Sequence, residues 1–138
     1  MQQQNLTIES KTEHLIEVRD FIASAAREFG FNDEEVSKIS LAIDEACTNI
    51  IKHAYGFDPT QQIGIIVRGG NGTFEVLITD HGRQFNPSSV PSPDMKEYLT
   101  NFRRGGLGVY LMRSLMDKVE YSIHPGKNEV RLVKYLSR

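Results

Sequence analysis

The spacing of apolar residues at the start of the chain predicts a strand followed by a helix. Residues 6–9, with apolar Leu6 and Ile8 two positions apart, predict a short strand. Thr12 stands just before a stretch with apolar residues at helical spacing, as a helix cap does, and we expect this helix to continue to about Phe29. Gly30 should end it, because glycine is common directly after a helix.

A second helix with a buried stripe is predicted next. Asn32 or Asp33 can cap its start, and Gly56 and Pro59 should close it. Its apolar residues recur at steps of three and four, which places them on one face of a helix. They are Val36, Ile39, Ile43, Ala46, Cys47, Ile50 and Ala54.

The middle of the chain predicts a β-hairpin and then an irregular segment. Apolar residues recur at every second position in two segments, at Ile63, Ile65 and Val67 and at Phe74, Val76 and Ile78. The glycine-rich residues 69–72 between them indicate a turn. Between His81 and Gly105 the sequence has no apolar period and contains several prolines. Irregular segments of this length are unusual in a compact domain, and they are often functional.

The end of the chain predicts a third helix and a second hairpin. Residues 107–116 are apolar at helical spacing, and residues 119–123 and 130–135 alternate around a turn at 124–128. The resulting order of elements favours a two-layer α/β sandwich, with helices on one face of a mostly antiparallel sheet. We expect residues 1–138 to form a single domain.

Composition and charge exclude several classes of protein. The hydrophobic fraction of 39% and the charged fraction of 25% are those of an ordinary globular domain. Because 16 Lys+Arg nearly offset 18 Asp+Glu, we expect no direct binding to nucleic acid. The single cysteine, Cys47, and the absence of a signal-like or bilayer-length apolar stretch predict a cytoplasmic protein with no membrane partner.

A carboxylate and an amide share one face of the second predicted helix. Glu45 and Asn49 are four residues apart, so their side chains stack on a face that points away from the apolar stripe. An amide oxygen can ligate Mg²⁺, and a carboxylate one turn earlier can accept a proton from a nucleophile. The alternative is an ordinary solvated polar face, which also suits such a pair.

Asp80 and Gly82 stand where the third predicted strand ends. A carboxylate held at a strand end can accept a hydrogen bond from an exocyclic amine such as that of adenine. Gly82 would let a flat ring approach the backbone closely. The alternative is a simple turn, in which Asp and Gly are both common.

The run Arg103, Arg104 and Gly-Gly-Leu-Gly at residues 105–108 directly precedes the third predicted helix. Glycines allow close approach of a ligand, and the free N–H groups at a helix start bind phosphate. The spacing is neither that of a P-loop nor that of a dinucleotide-binding fingerprint. An ordinary flexible joint with two solvated arginines is the alternative reading.

These three segments occur in an order that resembles a known family. Residues 45–55 (EACTNIIKHAY), 80–85 (DHGRQF) and 105–108 (GGLG) resemble the nucleotide-binding boxes of the Bergerat-type ATPase superfamily, which includes gyrase, histidine kinases and heat-shock chaperones. The short chain, the spacing from Glu45 to Asn49 and the glycine run are most similar to the anti-sigma factor serine kinases. The likeness extends over nearly the whole chain.

The resemblance implies a role for the residues of each box. Glu45 would be the general base and Asn49 the ligand of Mg²⁺. Asp80 would accept a hydrogen bond from the adenine amine, with Gly82 as its close neighbour. Lys52 would contact a phosphate oxygen, although a solvated lysine is the alternative. The phosphates of ATP would lie against the glycine run, formed by Gly105, Gly106, Leu107 and Gly108.

The resemblance also implies a reaction and its partners. The γ-phosphoryl group of ATP would pass to a serine of an anti-anti-sigma protein of the STAS type, and the protein would sequester a sigma factor. A homodimer is a further expectation from the family. One rival reading is a non-catalytic ATP-binding switch module that sequesters a regulatory partner. A second rival is a scaffold that binds no nucleotide.

Overall fold

The computed structural model describes residues 1–83 and 104–136. Its sheet has five strands in the order β1-β2-β3-β5-β4, and every neighbouring pair is antiparallel. The strands are β1 Gln4–Glu9, β2 Gln62–Gly70, β3 Thr73–Asp80, β4 Lys118–His124 and β5 Lys127–Tyr135. The predicted antiparallel sheet is therefore confirmed.

The helices pack on one face of this sheet, which confirms the predicted two-layer α/β sandwich. They are α1 Leu15–Phe29, α2 Asp33–Asn49 and α3 Arg104–Leu115. The core lies between the two layers, and the stripe predicted on α2 is buried in it up to Ile50. Within the part of the chain that the structure describes, no helix is long and apolar enough to cross a membrane.

The helix ends follow local chemistry, with one correction. Asn32 rather than Asp33 caps α2, because its Oδ1 accepts a hydrogen bond from Glu35 N at 2.9 Å. Gly30 ends α1 in the left-handed region at φ 118°. Thr12 is not a helix cap, since Thr12–His14 forms a separate 3-10 turn ahead of α1.

The two hairpins have tighter turns than the sequence indicates. Asn71 and Gly72 both have positive φ, as a two-residue hairpin turn requires, so β2 and β3 extend to Gly70 and Thr73. In the second hairpin the strands run to His124 and from Lys127, where the sequence predicts a turn over 124–128. The predicted turn was therefore too long, and residue 128 belongs to β5.

The start of α3 also differs from the prediction. The helix begins at Arg104, so residues 105–108 lie inside its first turns rather than ahead of it. Most of the predicted irregular segment, residues 84–103, lies outside the described residues, as does Arg103. α3 packs against α2, the helix that carries the first candidate site.

Candidate nucleotide site

The C-terminal end of α2 passes into a π-helical turn, Ile50–Ala54. π-helical turns of this kind occur frequently at functional sites. The turn aims two carbonyl groups at the residues that follow β3. The oxygen of Ala54 accepts a hydrogen bond from Arg83 N at 2.8 Å, and that of His53 accepts one from Arg83 Nη2 at 3.3 Å. The first two sequence boxes are thereby joined directly.

Tyr55 fixes the end of this turn to the sheet. Its hydroxyl donates to Gln62 O at 2.5 Å and accepts from His81 N at 2.8 Å, so it connects α2 to both β2 and β3. Burial raises the pKa of Tyr55; the hydrogen bond from His81 opposes this rise, and the nearby Asp80 adds to it. The phenol therefore stays neutral and keeps both bonds. Tyr55 lies in the first sequence box, but its spacing there predicts no separate role for it.

Asp80 lies at the end of β3, on the face of the sheet that the helices cover. It is only 5% exposed. Its Oδ1 accepts from Gly82 N and from Asn128 Nδ2, both at 2.9 Å. Oδ2 accepts no hydrogen bond from the residues that the structure describes. One carboxylate oxygen is thus held by the protein, and the other remains available to a ligand.

Gly82 is a glycine because the end of β3 approaches the π turn closely. A Cβ at this position would overlap the carbonyl oxygen of Ala54 and lie 2.8 Å from Tyr55 Cδ1. From the sequence, Gly82 is expected to let a flat ligand ring approach the backbone. In the structure its near neighbour is protein backbone, and a contact with nucleotide stays a prediction.

A pocket opens between the end of α2 and the ends of β3, β4 and β5, with about 440 Å³ of empty space including its mouth. Asn49, Asp80 and Arg83 form its polar side, and Ile50 and Tyr121 are among its apolar lining. The structure therefore brings Asn49 and Asp80 together, as the family resemblance implies. Hydrophobic lining with a few convergent polar groups is typical of ligand pockets.

The amide of Asn49 has an unmet hydrogen-bonding capacity. Its Nδ2 is buried, and no partner reaches it among the described residues. Leaving such a group unpaired costs about 1–3 kcal/mol. A ligand that accepts a hydrogen bond from it at the pocket wall would recover this free energy. Ser10 Oγ is the other buried polar atom without a hydrogen-bond partner in the described ranges, and it does not line this pocket.

A magnesium ion carried by a nucleotide stays a prediction for this pocket. Residues 1–83 and 104–136 contain no group of three or more His, Cys, Asp or Glu that could hold a metal. Mg²⁺ commonly takes one or two protein oxygens, with substrate phosphates and waters filling its other positions. The amide oxygen of Asn49 is a ligand of the type that this arrangement needs.

Glu45 lies one turn before Asn49 and is partly buried. Burial raises its pKa, the neighbouring Asp44 raises it further, and Lys52 lowers it. Lys52 is exposed and lies outside the pocket lining, as does Glu45. A carboxylate with a raised pKa is better matched to proton transfer near neutral pH than one with an ordinary value.

Asn128 belongs to the site, although the sequence analysis placed it in a turn. It pairs directly with Asp80 across β3 and β5, and it lines the pocket. Predicting a two-residue turn at Pro125 and Gly126 would have given this register, because such a turn places residue 128 inside the strand.

Residues 105–108 stay candidate phosphate-binding residues, at the start of α3.

Comparison with known proteins shows the family of this chain. Residues 8–134 match the histidine kinase-like ATPase domain. The serine-protein kinase RsbW of Bacillus mycoides is 31% identical over 137 residues, which cover 96% of this chain and 84% of that protein. The predicted resemblance to the serine kinases of this ATPase superfamily is confirmed.

Two solved structures share the fold. The RsbU and RsbW domains of a Mycobacterium tuberculosis protein align with a TM-score of 0.70 at 17% identity, over 100% of this chain and 33% of that one. The SiaB-SiaC complex of Pseudomonas aeruginosa aligns with a TM-score of 0.70 at 12% identity, over 94% of this chain and 88% of that one. With its fold and its sequence in agreement, the chain belongs to the histidine kinase-like ATPase domain family, alongside the RsbW serine-protein kinases.

Proposed function

We propose that this protein is an ATP-dependent protein-serine kinase that phosphorylates an anti-anti-sigma protein of the STAS type and sequesters a sigma factor. Its relatives are named serine-protein kinases, and its family is an ATPase family. The observation that carries the proposal is the meeting of Asn49 and Asp80 in one pocket, with Glu45 one turn before Asn49.

Each residue has a distinct task in this proposal. Asp80 accepts a hydrogen bond from the adenine amine through Oδ2, the oxygen that the described residues leave unpaired. The oxygen of Asn49 ligates Mg²⁺, which neutralises charge on the phosphates when it is bound. Such a transfer depends mainly on positioning and charge neutralisation.

Glu45 supplies the base in this scheme. It takes the proton from the serine hydroxyl as that oxygen attacks the γ-phosphorus, while the bond from the γ-phosphorus to the ADP oxygen breaks. Lys52 contacts a phosphate oxygen in this proposal; it is exposed, and its charge lowers the pKa of Glu45. In the proposal the glycine run, Gly105, Gly106, Leu107 and Gly108, lies beside the phosphates in the first turns of α3, where the free N–H groups are those at the very start of the helix.

The partner complex and the homodimer in the proposal rest on different grounds. A fold neighbour was solved as the SiaB-SiaC complex, which is an assembly of two different proteins. Pairing of two copies of this chain is proposed from the family alone, and its test is the mass of the protein in solution. A pull-down with ATP and again with ADP identifies the sigma factor or other partner.

Substitution of Glu45 tests the kinase proposal directly. We expect Glu45→Ala to bind ATP nearly as well as the wild type and to lose phosphate transfer by about 10²- to 10⁴-fold, the usual contribution of a general base. The measurement is radiolabel transfer from ATP to a purified anti-anti-sigma protein. Glu34→Ala, on the exposed face of the same helix, is the matched control and should keep full transfer.

The same assay separates the kinase from the rival switch module. Unchanged transfer by Glu45→Ala would exclude Glu45 as the base. A stable ATP-dependent complex with the partner, formed without any phosphoserine in the wild type, would identify a binding module in which nucleotide is only an effector.

A further inference from the structure

Asn128 makes two hydrogen bonds at the end of the central strands. Its Nδ2 donates to Asp80 Oδ1 at 2.9 Å and to the carbonyl oxygen of Gly82 at 3.1 Å. The two strands pair at this point, with Asn128 directly opposite Asp80. A primary amide has two N–H groups, so these two acceptors use the whole donor capacity of the side chain.

These bonds determine how the carboxylate of Asp80 is oriented. Gly82 N reaches the same Oδ1 from the other side of the turn, also at 2.9 Å. Two donors on one oxygen hold the plane of the carboxylate, and hydrogen bonds to a charged acceptor are stronger than neutral ones. Oδ2 is consequently held in one direction, at the wall of the pocket that both Asp80 and Asn128 line.

The strand ends are also joined by a contact that does not involve Asn128. His81 donates from Nδ1 to the carbonyl oxygen of Gly126 at 2.9 Å, which ties the residue after β3 to the turn of the second hairpin. Loss of the Asn128 side chain therefore leaves the backbone of the two strands connected. This contact makes it possible to separate the orientation of Asp80 from the stability of the hairpin.

We propose that Asn128 is a positioning residue that orients Asp80 for a purine with a 6-amino group and against one with a 6-oxo group. An amine at this position donates to Oδ2, whereas a carbonyl oxygen meets a second acceptor and leaves both unpaired. A site built to hydrogen-bond one group rejects an analogue that lacks it strongly. The inference rests on the proposed function, because it names the ligand contact of the same ATP pocket.

The test compares ATP with two analogues in titration calorimetry. Inosine triphosphate has the 6-oxo group, and purine riboside triphosphate has no group at that position. We expect Asn128→Ala to lose about tenfold in affinity for ATP, the order expected for one hydrogen bond to a charged group, while its affinity for purine riboside triphosphate stays near that of the wild type. The preference for ATP over inosine triphosphate should fall by a similar factor.

Two further variants serve as rescue and control. Asn128→Thr keeps a hydroxyl donor, and its selectivity should lie between those of the wild type and the alanine variant. His81→Ala removes the other tie at the strand ends, so it should lower the melting temperature without changing the preference among the three nucleotides. Asp80→Asn should remove the preference by itself, and adding Asn128→Ala to it should remove no more.

The outcomes distinguish this inference from the function on which it rests. Equal loss for all three nucleotides, or unchanged selectivity in Asn128→Ala, would overturn the role of Asn128 and leave the ATP pocket intact. If Asn128→Ala does not fold, wild-type selectivity in Asn128→Val, which also removes the donor and keeps Asp80, would overturn it as well. Absence of ATP binding by the wild type would overturn the proposed function itself.

Discussion

At the residue scale, the site contains polar groups whose hydrogen-bonding capacity is only partly used by the residues that the structure describes. Asn49 has a buried amide nitrogen without a partner, and Asp80 has one oxygen bonded and one free of described donors. Glu45 has a raised pKa because of burial and the charge of Asp44. Asn49 and Asp80 line one pocket, between the end of α2 and the end of β3, and Glu45 lies one turn before Asn49.

Removal of the Asn49 amide should abolish the response of ATP binding to magnesium. In the wild type we expect tighter ATP binding with Mg²⁺ than with a chelator, because the metal joins the phosphates to the protein. Asn49→Ala should bind ATP equally in both conditions, as measured by titration calorimetry. Asn5→Ala, at the far edge of the sheet, is the control, and a magnesium response that persists in Asn49→Ala would assign the metal to another ligand.

The pH dependence of transfer should report the ionisation of Glu45. A general base works only when it is deprotonated, so activity is present above its folded-state pKa and is lost as the pH falls through it. Because that pKa is raised from 4.5, the acid limb of kcat should lie above pH 4.5. A limb at or below that pH would exclude Glu45 as the base.

Lys52 supplies a second readout of the same ionisation. Its positive charge lowers the pKa of Glu45, so Lys52→Gln should move the acid limb of kcat to higher pH. Lys38→Gln removes a charge elsewhere on α2 and should leave the limb in place. If the limb stays fixed or moves to lower pH in Lys52→Gln, the coupling between these two residues has no part in the reaction.

At the scale of elements, the site depends on the contact between the π turn and the end of β3. The sequence predicts the helix, the strands and the buried stripe, because their periodicity is visible in the order of residues. It does not reveal the π turn, since one extra residue in a hydrogen-bonded ring leaves the apolar spacing almost unchanged. The role of Asn128 was missed for a related reason, because it depends on the register of the last hairpin.

Gly82→Ala tests this contact. The added Cβ would overlap the carbonyl oxygen of Ala54, which is backbone and cannot move aside cheaply. We expect a loss of about 1–3 kcal/mol in the free energy of unfolding, the usual cost of overpacking, measured in denaturant. Gly70→Ala is the matched control, because a Cβ there meets nothing within 4 Å and should leave stability nearly unchanged. Equal stability of the two variants would show that the contact is loose.

At the scale of the whole molecule, the fold accounts for why distant residues meet. The antiparallel order places the ends of β3, β4 and β5 beside the end of α2, so positions far apart in sequence line one pocket. The spacing of residues along the chain could not predict that Asn49 and Asp80 line the same pocket. The family resemblance, carried by the order of the three sequence boxes, did imply it. Residues 84–103 lie outside the described residues, so a functional role of the predicted irregular segment stays a sequence-based expectation.

The central claim is that one magnesium-bound adenine nucleotide contacts Asn49 and Asp80 in the same pocket. A crystal structure of the chain with Mg²⁺ and a non-hydrolysable ATP analogue tests it most directly. We predict the exocyclic amine of adenine within hydrogen-bond distance of Asp80 Oδ2 and the metal at the amide oxygen of Asn49. Nucleotide bound elsewhere on the molecule, or with its base away from Asp80, would contradict the account.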